Sequence, residues 1–258
     1  MRGAVNPFVE EGLRAYFSHA VILRTYVVLL ALLGALLFFW WPRGPVASSL
    51  FPTGGSRTFT VVAMGWLAGL AWLSARYGAE DYSSGSFIRL REYVTLTPVA
   101  ISTVIAGKLA FSVLHTLFLL ALGAPFALAS LAVSGVPAVD AARALLVVGA
   151  AAVACRMLGL FLLIVLDERS LLRDLAMIAA GLTFIPASLA LFPAANPVSA
   201  ILSLGGASEH PAAVPLLGAA IPFYLFSVIM SLLAAIVCAA ALCASLAVVR
   251  KARHGASA

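Results

Sequence analysis

Polar chemistry in this 258-residue chain must come from few side chains: sixteen Lys and Arg, ten Asp and Glu, four His and three Cys. Arg156 is the one base deep inside an apolar run, about ten residues before Asp167. At 1.5 Å per residue that is roughly 15 Å, near the middle of a hydrocarbon core about 30 Å thick. A charge at that depth faces the bundle interior or water and is a functional candidate by default. It would suit an anionic headgroup or substrate. The alternative is a packing arginine bonded to backbone carbonyls or snorkelling to the surface. No acid falls at matching depth. His115, two turns beyond Lys108, reads as a hydrogen-bonded packing residue rather than a ligand.

Enzymatic constellations are sparse. A phosphate-binding loop needs Gly five positions before its final Gly and Ser or Thr after the Lys; around Gly107-Lys108 those positions hold Ser102 and Leu109. The chain therefore carries no ATPase motif. His19, His115, His210 and His254 fall on both sides of the membrane, and Cys155, Cys238 and Cys243 sit in apolar runs without paired ligand spacing. No metal site is expected. The Ser84-Gly85-Ser86 string falls in a polar stretch, away from the histidine an intramembrane serine protease would need. The acid pairs Glu80-Asp81 and Asp167-Glu168 are of the kind a lipid-modifying transferase would show near the surface, and solvation of helix ends explains them as well.

The elements that must position these residues follow from composition. With 63% hydrophobic and 10% charged residues and a mean hydropathy of +1.09, the chain lies far from soluble domains, which are about 25% charged. It reads as an all-α integral membrane protein, a single transmembrane domain over 1–258. Six stretches are long enough to span: 24–41, 58–76, 99–132, 143–166, 171–192 and 221–249. The third and sixth exceed one crossing and must tilt, bend or project. Twelve of the bases fall on one side of such a layout and three on the other. By the positive-inside bias both termini are cytoplasmic, in an inner (plasma) membrane. The net charge of +6 then reflects topology and anionic lipid, with no call for nucleic acid. The first apolar run ends in Trp40-Trp41-Pro42, an interface belt rather than a signal-peptide cleavage site.

Three segments outside the spans have patterns of their own. Over 6–23, Asn6 can cap a helix with Pro7 at its first position. Val9, Leu13, Tyr16, Phe17 and Ala20 share one face, so the segment reads as an interfacial helix. The 77–98 stretch is polar and must lie at or beyond the membrane surface. Ser86 could cap a short helix there with Phe87, Leu90 and Val94 in a stripe, and Pro98 disfavours helix at Thr97. The 193–220 link holds two apolar pieces, Val198–Leu204 and Val214–Ile221, too short to cross and suited to re-entrant or interfacial positions. Gly65 with Gly69, and Ala234, Ala235, Ala239 and Ala240, are small-residue faces for close helix packing or a dimer seam.

Glu92, Thr97-Pro98 and Gly107-Lys108, in EYVTLTPVAISTVIAGK, resemble the signature of permease subunits of type-2 ATP-binding-cassette exporters. The six-span layout, the surface helix, the apolar pieces before the last span and Asn196-Pro197 are similar too. One departure is that Arg89-Leu90 replaces the Gly-Thr often found before the acidic helix. The resemblance implies a coupling helix over 86–98 that rests in a groove of a separate cytoplasmic ATPase, with Phe87, Leu90, Arg91, Glu92, Thr97 and Pro98 at or beside the contact. It also implies a dimeric export pathway formed with a second copy or a related permease, and ATP and Mg bound by the ATPase rather than by this chain. A membrane scaffold or assembly factor using the same surface, or an intramembrane enzyme, are the alternatives.

Overall fold

Long apolar helices dominate the computed structural model, which describes residues 6–18, 20–41, 54–80, 94, 96–166, 170–204, 213–216 and 219–256. In chain order these form helices α1 (Pro7–Ser18), α2 (Ala20–Phe39), α3 (Gly54–Glu80), α4 (Ile101–Ser134), α5 (Ala138–Leu166), α6 (Ser170–Leu191), α7 (Pro197–Leu204) and α8 (Phe223–Ala256). A 3-10 turn, Pro193–Ala195, precedes α7, and a hairpin of β1 (Ala213–Leu216) and β2 (Ala219–Pro222) precedes α8. Among the described residues five helices are long and apolar enough to cross a membrane, in α2, α3, α4, α5 and α8. The chain is thus a helical membrane protein, with one small hairpin among the described residues. Val27, Val28, Phe38, Ile236 and Val237 lie exposed on α2 and α8, as helices facing lipid require.

Local chemistry sets the boundaries. Asn6 caps α1, its Oδ1 accepting from the Phe8 N–H at 3.1 Å. α4 ends where Gly135 takes a left-handed φ of 66°, the conformation glycine supplies at least cost. Pro137 then starts α5, its carbonyl accepting from Asp140 and Ala141. At 34 residues, α4 is roughly 51 Å long, well beyond one crossing, and it carries Pro125 within its second half.

Two ends of the bundle can be told apart. At one, the Asn6 amide donates to the Thr103 carbonyl near the start of α4 (3.1 Å), and Arg250 near the end of α8 bonds the chain just before α4. We call this the near end. At the far end, Thr58 Oγ1 on α3 donates to the Trp40 carbonyl after α2 (2.7 Å). Arg143 on α5 stands 5.0 Å over the ring of Tyr224 at the start of α8.

The tightest packing lies between α3 and α5. A Cβ on Gly159 would collide with the Ala75 carbonyl oxygen, and one on Gly78 with the Arg156 carbonyl oxygen. The two backbones therefore touch, each glycine admitting the other helix.

Several sequence expectations are corrected here. The first span is continuous helix from Ala20 rather than beginning at 24, and α1 ends at Ser18. The buried face of α1 is Phe8, Gly12, Ala15 and Tyr16, with Phe17 and Ala20 exposed. The stripe turns toward the small residues because a Gly12 Cβ would sit only 2.8 Å from the Phe111 ring; closeness of approach outweighs side-chain hydrophobicity. Val214–Ile221 forms most of the antiparallel hairpin, with Val214 opposite Ile221, an element the apolar pattern did not announce. Gly65 and Gly69 receive Leu36 and Leu29 of α2, so they serve this chain's own packing. Ala235 is buried and Ala239 partly so, whereas Ala234 and Ala240 face outward. Helices α3 and α5 extend beyond the expected spans, α4 lies two residues later than expected, and α8 starts at Phe223 and runs on to Ala256.

Candidate functional site

Arg156 is 3% exposed, and its partners among the described residues are all uncharged. One guanidinium nitrogen lies 2.7 Å from His115 Nδ1. The guanidinium carbon stands 4.8 Å from the Phe111 ring centre and 4.9 Å from that of Tyr16. A guanidinium only donates, so Nδ1 accepts and the imidazole proton sits on Nε2. That nitrogen then donates to the Tyr26 hydroxyl oxygen, 2.7 Å away. Arginine thereby selects the histidine tautomer. Each desolvated cation–π contact contributes about 2 kcal/mol, which offsets part of the several kcal/mol that burying an ion costs.

The surrounding shell ties five helices together. Tyr16 of α1 donates to the Tyr77 carbonyl of α3 at 3.1 Å. Thr25 of α2 donates to the Ile22 carbonyl at 2.7 Å and is paired through its oxygen with the Tyr77 hydroxyl. His115 of α4 stacks on Phe111 at 5.7 Å, with planes 11° apart. Beside Arg156 is a cleft of about 10 Å³ lined by Gly12, Tyr16, Tyr77, Lys108, Phe111 and Leu160, room for about one water. In this conformation it holds no cargo-sized space.

A second polar knot lies at the near end. Val94 and Leu96 are helical, Thr97 bends, and Pro98 through Ala100 lead irregularly into α4, with Ala100 extended. Thr97 is half-buried, Pro98 exposed. Arg250 donates from Nε and Nη2 to the Val94 carbonyl (3.1 and 2.8 Å) and from Nη2 to the Val99 carbonyl (2.6 Å). Val94 itself is buried in a cluster with Val104, Leu242 and Leu246.

Of the sequence-derived site residues, Phe87, Leu90, Arg91 and Glu92 lie outside the described residues. Thr97 and Pro98 form the expected break. Arg156 is buried, and it bonds an imidazole and aromatic faces rather than backbone carbonyls or a distant surface. His115 is a hydrogen-bonded packing residue, as its isolation suggested. Gly107 has a packing role: a Cβ there would meet Asn6 Oδ1 at 2.6 Å and Phe8 Cβ at 2.8 Å, so it seats α1. Sequence reasoning put Tyr16 on the face of α1 without its contact to Arg156, and it gave no site role to Tyr26, Tyr77, Gly78, Gly159 or Arg250. The signal for the tyrosines was hydroxyls set in or against apolar runs, and for Arg250 its closeness to the end of the last span. No family model, curated protein or solved structure matches this chain.

Proposed function

We propose that this chain is the permease subunit of an ATP-driven exporter in the inner membrane, with both termini cytoplasmic. Two copies, or this chain with a related one, would form the pathway, and separate cytoplasmic ATPase subunits would bind ATP and Mg. The observation that carries the proposal is the proline-broken elbow at Thr97–Pro98. It sits at the mouth of α4, at the bundle end where α1 begins and α8 finishes. An input arriving at that elbow is well placed to move three elements at once.

The connectivity favours six crossings. α4 leaves the near end, α5 returns to it, and α8 starts at the far end beside Arg143. The chain between must travel from near to far. α6, with 22 residues, reaches roughly 33 Å, enough for a core about 30 Å thick. α7 and the hairpin then occupy the outer side before the last span. The predominance of bases at the near end supports a cytoplasmic position for it. Phe87, Leu90, Arg91 and Glu92 would supply the ATPase contact, apolar anchors in a groove with charges setting register. The apolar walls suit a lipid, glycolipid or amphipathic drug better than a small ion.

The test is co-purification with a nucleotide-binding subunit, followed by ATP hydrolysis by the complex with Phe87, Leu90 and Glu92 substituted by alanine. Weakened association and altered turnover are expected; no bound ATPase, or no change in either quantity, would reject the proposal.

A further inference from the structure

Pro98 has no N–H, so the carbonyl of Val94, which an α-helix would pair with residue 98, loses its donor. The Val99 carbonyl lies one residue ahead of the first acceptor of α4, Ala100, which takes the Thr103 and Val104 N–H groups. The elbow thus creates two orphaned acceptors, one on a residue that is itself buried, and such groups need partners. Arg250 reaches both from α8 with one planar fork. Its side chain crosses some 150 positions of sequence to do so, since Val94 lies 156 residues earlier. Behind it, Val94 packs against Leu242 and Leu246 of the same helix, so the link is both polar and apolar.

We infer that Arg250 is a positioning residue that makes the elbow and the cytoplasmic end of α8 one mechanical unit. Displacing the segment before Pro98 then carries the last span with it, rather than acting on α4 alone. In the exporter this gives the ATPase a second output, and that consequence rests on the function proposed above; the clasp itself does not.

The experiment uses the full chain in lipid nanodiscs with Cys155, Cys238 and Cys243 replaced by alanine. Spin labels are placed at the exposed positions Leu96 and Val248, and at Val165 and Val248 as a second pair. The unsubstituted clasp should give a single narrow Leu96–Val248 distribution. Arg250→Gln should broaden or shift it while leaving the Val165–Val248 distance in place, showing that the bundle still packs. Arg250→Lys, whose ammonium keeps the charge without the fork, should give an intermediate result and serves if the glutamine variant fails to fold. An unchanged Leu96–Val248 distribution in both variants overturns the inference. If an ATPase co-purifies, ATP should move the Val165–Val248 distance only when Arg250 is present. If none does, the exporter assignment fails while the nucleotide-free distributions still decide the clasp.

Discussion

Gly159→Ala adds one methyl group where two backbones meet. Its Cβ would lie 2.9 Å from the Ala79 nitrogen and 3.0 Å from the Ala75 carbonyl carbon, with the Ala75 oxygen closer still. Favourable contacts between heavy atoms start near 3.5 Å, and the Ala75 oxygen would lie at 2.0 Å, so α3 and α5 must part by about 1–1.5 Å. A gap of that size forfeits about half of each contact's well, and overpacking of this kind costs about 1–3 kcal/mol. At about 2–4 °C per kcal/mol for a chain of this size, thermal unfolding in detergent should fall by about 2–12 °C. Gly78→Ala demands the same separation, its Cβ being 2.9 Å from the Leu160 nitrogen. Once the helices have parted, the second methyl adds little, so the double variant should cost clearly less than the sum of the singles. Gly149→Ala is the control. Its Cβ meets only a leucine methyl at 3.2 Å, and alanine's better helix propensity, about 1 kcal/mol, should hold stability at or above wild type. An undiminished melting temperature for Gly159→Ala, or strict additivity of the pair, would refute the backbone contact.

Other outcomes follow from the same contacts. His115→Ala should cost about 3–5 kcal/mol, because it leaves the Arg156 charge buried with one fewer partner; adding Arg156→Met should recover much of that in a melting assay. Tyr26→Phe removes only the acceptor of the His115 Nε2–H and should cost about 1–3 kcal/mol. Asn6→Asp keeps the α1 cap but loses the amide donated to Thr103, whereas Asn6→Ala loses both. Hydrogen exchange over Phe8–Tyr16 should rise in that order, with about 1 kcal/mol attributable to the cap. A cysteine at exposed Leu96 should react with an impermeant maleimide only from the cytoplasmic side; labelling from outside would invert the topology.

The architecture was legible because membrane helices are written in composition. Six apolar runs read as spans, five of them match helices long and apolar enough to cross a membrane, and Asn6-Pro7 announced the start of α1. What failed were contacts set by the absence of side-chain volume. Nothing in the hydrophobic pattern distinguishes Gly78 and Gly159 from Gly65 and Gly69, yet the former bring backbones together and the latter only receive leucines. The hairpin at Val214–Ile221 was hidden for a related reason: a short apolar run reads alike as strand, helix or surface loop until its partner is known. Arg156 stood out as a base within an apolar run, but its surroundings did not. The three hydroxyl-bearing rings near it come from three different helices, and no linear spacing connects residues 16, 26 and 77.

The guanidinium of Arg156 is cushioned by π-electrons and a neutral imidazole, with no carboxylate among its described partners, so its charge is softened without being cancelled. The bundle interior around Arg156 therefore holds a standing positive potential. At roughly 8 Å and an effective dielectric constant of about 20, a passing monovalent cation meets a barrier of about 2 kcal/mol, and an anion gains as much.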